Sequence, residues 1–246
     1  MTRSFFIALQ FLTRVPTPAL KNFAPEELGA SARWFPAIGA FVGVCVLAAA
    51  MVGNRLDPWL GGLLSLIVWV AITGALHLDG LADLADALGA AHRNPDRFLE
   101  VLHDPHLGAF GAIVLIVAIV AKLVLLSLAL THVPDFAFAC VLVPAWARFG
   151  ALVWSLRLRS LHTGSGERFA WRISTPTIAV WAVLLVVMRA VFSPMLLCAP
   201  LFVWGWETYL RVRVGGMTGD CLGAGIEVVE IGLLLALVLL SATRFT

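Results

Sequence analysis

Charge is what this sequence has least of. Only 13% of its 246 residues are Asp, Glu, Lys or Arg, whereas 61% are hydrophobic, and the mean hydropathy is +0.95. Soluble domains carry about 25% charged and about 45–50% apolar residues, so a water-soluble enzyme is excluded and lipid is the solvent that accepts this surface. Cysteine is scarce as well. Cys45, Cys140 and Cys198 lie in apolar stretches and Cys221 in a polar loop, with no CxxC or Cys/His ligand spacing. That rules out a disulfide scaffold and leaves them as packing residues. No low-complexity tract occurs, and the 17 basic residues form no run, which excludes disorder and a nucleic-acid partner. The first apolar run is interrupted by Gln10 and Arg14 and lacks a small-residue cleavage site, so no cleaved signal peptide is expected.

What is present is a series of long apolar windows. Stretches able to cross a hydrocarbon layer of roughly 30 Å occur at 34–52, 59–78, 109–131, 133–154, 177–192, 194–210 and 224–242. The expected fold is therefore all-α: a polytopic helical bundle of about seven transmembrane helices, one membrane-embedded catalytic domain over residues 1–246. An eighth segment at 4–12 would re-enter the bilayer. Basic residues set the orientation, because Lys and Arg collect on the cytoplasmic side. Twelve fall on one side: Arg3, Arg14, Lys21 and Arg33 before the first window; Arg93 and Arg97 after the second; Arg157, Arg159, Arg168 and Arg172 after the fourth; Arg211 and Arg213 after the sixth. The other side holds only Arg55, Arg189 and Arg244. A cytoplasmic N-terminus and cytoplasmic motif loops follow.

The carboxylates gather in those same loops. In HLDGLADLAD (77–86), Asp79, Asp83 and Asp86 stand at i, i+4 and i+7, one stripe of a helix. Stacked like charges repel, so a cation belongs there, and hard oxygen ligands suit Mg²⁺, Mn²⁺ or Ca²⁺. A merely solvated helix end would mix acids with Lys. Here Leu78, Leu81, Ala82, Leu84, Ala85 and Leu88 fill the intervening positions, so the helix is packed on its other sides and the acids face a site. Downstream, HDPHLGAFG (103–111) supplies Asp104 as a further metal oxygen and glycines for close backbone approach. His103 and His106 lack the spacing of a zinc pair.

A second loop, RVRVGGMTGDCLGAGIEVVE (211–230), sets five glycines just before a helix. Such loops present backbone N–H groups and a helix N-terminus to phosphate, although this one matches no Walker A or GxGxxG pattern; the plainer alternative is a connector with a helix cap at Thr218 or Asp220. Glu227 and Glu230 then enter the membrane, where carboxylates need partners. Lys122 and Arg148, each costing about 2.5–3.5 kcal/mol on insertion scales, are the basic residues within reach, and pairing inside the bundle is the expectation.

Taken together, LTRVPTP (12–18), HLDGLADLAD, the Asp-x-x-x-Gly-x-x-Gly turn at 104–111, the intramembrane Lys and Arg, and GGMTGDCLGAGIEVVE (215–230) resemble the cobalamin synthases, the adenosylcobinamide-GDP ribazoletransferases. Pro105 and His106 stand where that pattern has Ser and Arg, and Ala87 where Gly is frequent. The resemblance implies a Mg²⁺-dependent multi-pass enzyme of the bacterial inner membrane with its active site facing the cytoplasm. Its substrates would be adenosylcobinamide-GDP and α-ribazole or its 5′-phosphate, and its products GMP and adenosylcobalamin or its phosphate. It further implies Asp79, Asp83, Asp86 and Asp104 as metal ligands and Arg14, Lys122, Arg148, Gly216 and Gly219 as nucleotide contacts. Asp220, and after it Asp86, would serve as general base. The lipid bilayer is the expected partner, and a homo-oligomer is left open. CDP-alcohol phosphotransferases share the logic of spaced membrane aspartates, but their DxxDGxxAR pattern is absent. A cation-coupled transporter should show repeats and midplane acids, and no repeat is found.

Overall fold

The computed structural model describes residues 2–18, 25–91, 97–161 and 173–242. Lys21, Arg93, Asp96, Arg168, Arg172 and Arg244 lie outside the described residues. Helices follow one another as α1 (Thr2–Leu12), α2 (Pro25–Ser31), α3 (Phe35–Asn54), α4 (Pro58–Thr73), α5 (Leu76–Ala91), α6 (Phe98–Leu102), α7 (Ala109–His132), α8 (Phe136–Arg157), α9 (Thr175–Phe192), α10 (Ala199–Tyr209) and α11 (Gly219–Ala242). Among the described residues there is no β-strand, only a bridge between Ser160 and Met217. The all-α reading stands.

The spans pack through small residues. In hydrocarbon there is no hydrophobic drive between helices, so backbones must come close enough for dispersion to hold them. Gly39 and Gly43 of α3 do this against the Pro144 and Cys140 carbonyls of α8, and a Cβ on Gly53 would lie 2.7 Å from the Cα of Gly61 across the α3–α4 hairpin. The hairpin itself is set by Asp57, which accepts a hydrogen bond from the Trp59 N–H at 2.8 Å, and by Pro58 in the first turn of α4. Helix α8 is the buried centre, whereas α9 has Leu185 as its one buried residue, lays Ile178, Trp181, Ala182 and Met188 against the core and turns Val180, Val183, Val187 and Val191 outward.

Two windows differ from expectation. Among the described residues five helical runs are long and apolar enough to cross a membrane, or six if one bent pair counts as a span, so a count of seven is not confirmed. The bent pair is α4 and α5, which meet at 84°. Gly74 (φ 60°) and Ala75 (φ 58°) both take left-handed backbone there; a glycine does so freely, an alanine at a cost of about 1 kcal/mol or more. The chain stops short of the predicted residue 78 and turns sideways. In the sixth window the chain forms a 3₁₀ turn (Pro194–Cys198) and then the 11 residues of α10, which run on without a break into a π-helical stretch (Leu210–Val214).

The turned helix α5 fixes the site. It runs across the first turns of α11 and α7, at the end of the bundle where the other motif segments also meet. Arg14 donates its N–H to the Ile72 carbonyl at 2.6 Å, and Met217 N–H to that of Arg159 at 2.9 Å. The motif loops thus share one end, as the distribution of basic residues requires.

Candidate active site

Glycine lets the two acidic segments touch. A Cβ at Gly80 on α5 would lie 3.0 Å from the Cα and carbonyl oxygen of Asp220, and Gly223 faces the Cα of His77. Segments more than 120 positions apart in sequence therefore cross in close contact. His77, Asp79 and Asp220 line one cavity of about 120 Å³ at the crossing. Behind the acids, Leu78, Leu81, Ala82 and Leu84 are buried and Ala85 and Leu88 half-buried, the packing that the spacing predicted.

The acids act on one another. Asp83 is half-buried, and burial first, then the charges of Asp79, Asp220 and Asp86, push its carboxyl up to about 6. A carboxylate held that high at neutral pH is one that gains from a cation. No group of three His, Cys, Asp or Glu side chains among the described residues is disposed to hold a metal alone. This donor set still suits Mg²⁺, which takes one or two carboxylates and completes its shell with substrate phosphate and water.

Asp86 has a different environment from its neighbours. Its two oxygens accept the backbone N–H groups of Gly108 (2.8 Å) and Gly111 (2.9 Å), tying the start of α7 to α5. Side chains at either glycine would collide with that carboxylate. An Asn keeps one acceptor oxygen and loses the other. Asp86→Asn is expected to cost about 1–3 kcal/mol as well as activity, read as a lowered unfolding temperature that Asp79→Asn does not share. Equal unfolding temperatures for the two variants would refute the clamp. Asp104 lies apart from the cavity on an exposed turn, where the His106 side chain (2.6 Å) and backbone N–H (3.0 Å) hold its carboxyl below the usual range. His103 instead contacts the Leu99 carbonyl.

The intramembrane charges pair with one another. Lys122 Nζ lies 2.7 Å from Glu227 and 2.5 Å from Glu230, over the ring of Trp69, and Arg148 donates to the second oxygen of Glu230. All four are buried. Arg148 continues the chain to Nδ1 of His77 at 3.3 Å, and His77 is the residue that sequence reasoning missed. Its signal was a histidine opening the acidic motif beside an otherwise apolar window.

The glycine loop is more tightly packed than a phosphate cradle requires. Gly215 has a positive φ of 79° and its carbonyl accepts from Arg159 at 2.8 Å. Gly216 is buried, and a Cβ there would meet the Arg159 carbonyl at 2.6 Å. Thr218 caps α11, accepting from the Cys221 N–H at 3.3 Å, while Gly219 lines the cavity beside Asp220. Arg14 is exposed and lies over the Gly74 turn. Also unanticipated is Glu207, buried and bridging Arg157 (3.0 Å) and Arg211 (2.7 Å) at this end of the bundle.

Comparison with known proteins matches this sequence to one family. The family model described as Cobalamin-5-phosphate synthase matches residues 4–238. An adenosylcobinamide-GDP ribazoletransferase of Laribacter hongkongensis is 52% identical over 242 residues, 98% of each chain. Proteins of the same name are 49% identical in Thiobacillus denitrificans, over 98% of each chain, and in Novosphingobium aromaticivorans, over 95% of each. No solved structure matches the chain.

Proposed function

The chain belongs to the cobalamin-5-phosphate synthase family, and from that premise we propose that it joins adenosylcobinamide-GDP to α-ribazole or its 5′-phosphate. It is a transferase of cobalamin synthesis built from membrane helices. The observation that carries the reading is the crossing of α5 and α11, which sets Asp79, Asp83 and Asp220 around one mouth. In the reaction a ribose hydroxyl that stays free in the 5′-phosphate, and so not the 5′ one, forms a bond through its oxygen to the phosphorus next to cobinamide. The pyrophosphate P–O bond breaks, GMP leaves with that electron pair, and the hydroxyl proton goes to a base. Asp79 and Asp83 are the residues that would hold Mg²⁺, which when bound would neutralise charge on the substrate pyrophosphate.

This chain's residues do the rest. Asp220, at the first turn of α11 and on the cavity, takes the proton. Asp86 holds the Gly108–Gly111 turn in place, so Asp220 is the better base of the two. Arg14, exposed at the α4–α5 turn, faces the departing nucleotide. Lys122 and Arg148 are consumed by Glu227 and Glu230 and support the site from below. Purified protein given adenosylcobinamide-GDP, α-ribazole and Mg²⁺ should release GMP and form cobalamin in equal amounts. No GMP under those conditions would overturn the reading.

The same proposal places the protein in the bacterial inner membrane with the site facing the cytoplasm, supported by twelve basic residues on the motif side against three opposite. With the native cysteines replaced, an impermeant thiol reagent added outside should label Arg55→Cys and miss Arg213→Cys. Labelling of Arg213→Cys from outside would reverse the orientation.

A further inference from the structure

The cavity at the α5–α11 crossing, about 120 Å³, has no room for a nucleoside. Farther along α5 the room is there. Asp86, Gly89 and Ala90 line an open groove of about 1050 Å³, faced by α6 and by the turn that starts α7. Sites that hold small organic ligands measure about 300–1,000 Å³. The groove continues the stripe of acids, since Ala90 stands two turns beyond Asp83 on the same face, about 10 Å along the axis. A nucleotide whose phosphate is held at Asp79 and Asp83 can therefore lay its sugar and base over Gly89 and Ala90.

Two side chains of opposite charge line this groove, Arg97 and Asp104, and each is about half exposed. Arg97 leans on Glu100 at 3.7 Å, longer than a hydrogen bond, so its guanidinium donors are open to a ligand. Oδ1 of Asp104 accepts from both the backbone N–H (3.0 Å) and the ring Nδ1 (2.6 Å) of His106, which fixes the direction of the carboxylate. Oδ2 has no partner among the described residues. Asp86 lines the groove too, but its oxygens are taken by Gly108 and Gly111. Phe110 adds a flat apolar surface, 59% exposed, and a Cβ on Gly89 would meet its ring at 2.4 Å.

A planar base that suits both charges must offer donors to the carboxylate and acceptors to the guanidinium. Guanine does: N1–H and the N2 amino group are adjacent donors, and O6 and N7 are acceptors that arginine forks. The ribazole base has a ring nitrogen that only accepts, with nothing for Asp104. We infer that this groove binds the guanosine of the donor substrate, with Asp104 accepting from N1–H and the N2 amino group and Arg97 donating to O6 and N7. The site rests on the ribazoletransferase reading above and names the residues that recognise the leaving GMP. Arg14, over the turn that starts α5, is on the phosphate side of the same nucleotide.

Calorimetry of the purified protein with Mg²⁺ and three nucleotides tests this without turnover: GMP, IMP, which lacks the N2 amino group, and XMP, which has an oxygen in its place. The wild type should bind GMP about tenfold more tightly than IMP, the effect of losing one hydrogen bond to a charged acceptor, and XMP more weakly still because its oxygen meets the carboxylate. Asp104→Asn puts an amide N–H opposite that oxygen, so the variant should bind XMP more tightly than GMP. A merely structural Asp104 cannot reverse the order. Arg97→Gln should weaken GMP and IMP by the same factor, about tenfold, and leave their ratio unmoved. Equal binding of GMP and IMP by the wild type overturns the inference, as does an Asp104→Asn variant that still prefers GMP to XMP. Failure of the GMP-release assay with the guanine preference intact condemns the reaction and leaves the groove standing; release without that preference condemns the groove alone.

Discussion

Asp83→Asn is expected to lower turnover about 100-fold or more, the usual effect of deleting one charged group at a polarised centre, while leaving the protein at least as stable as the parent. The two halves have one cause. Asp83 is half-buried among Asp79, Asp86 and Asp220, and this raises its carboxyl from the ordinary range to about 6. In the absence of metal its charge destabilises the folded state; with metal and pyrophosphate present the same charge binds the substrate complex. The pH dependence follows in sign. A carboxyl with a folded-state pKa above its unfolded value binds more protons when folded between the two, so stability in chelator rises as pH falls through about 6 toward 4. The difference between wild type and Asp83→Asn isolates that contribution, and the variant should show a shallower rise. Thermal unfolding in detergent with EDTA, set beside GMP release at saturating substrate and limiting Mg²⁺, measures both. Near-normal turnover in the variant would remove Asp83 from the site, and a large fall in unfolding temperature would show that its charge serves packing instead.

The stripe of acids was readable because i, i+4, i+7 spacing and the leucines between determine a helix face before any tertiary contact forms. Its meeting with Asp220 is realised through Gly80, a residue whose role is invisible until the opposing backbone is known. Pairing of Lys122 and Arg148 with Glu227 and Glu230 was readable for a stronger reason: charges in hydrocarbon have almost no alternative partners. What stayed hidden depends on backbone geometry that composition does not encode. Hydropathy runs unbroken through Gly74 and Ala75 because Leu76 and Leu78 are apolar, so the 84° turn left no trace in the window. Asp86 shares its stripe with Asp79 and Asp83, yet its partners at Gly108 and Gly111 lie 22 and 25 positions away. Gly216 has the same look as a phosphate-cradle glycine, and only the Arg159 carbonyl beside it shows that close packing sets its size.

The largest stability effect should come from Glu230. It is fully buried, and its two oxygens serve two cations, Lys122 at 2.5 Å and Arg148 at the other side. Glu230→Ala leaves one guanidinium uncompensated and throws Lys122 onto Glu227 alone. Breaking a buried pair by removing one partner costs about 3–5 kcal/mol, whereas replacing both partners with apolar groups of similar size is often neutral. The double variant Lys122→Met, Glu227→Leu removes one cation and one anion, keeps the Arg148–Glu230 pair and should unfold within a few degrees of wild type. Glu230→Ala should unfold far below both. The same contrast separates a supporting network from a transport relay. A relay needs Lys122 and Glu227 to exchange charge and would lose function in the double variant, while a support needs only that no buried charge is left alone. Retention of GMP release by the double variant, with its loss in Glu230→Ala, is the outcome expected of a structural support beneath the site. If Glu230→Ala unfolds at the wild-type temperature, the four charges do not act as one unit.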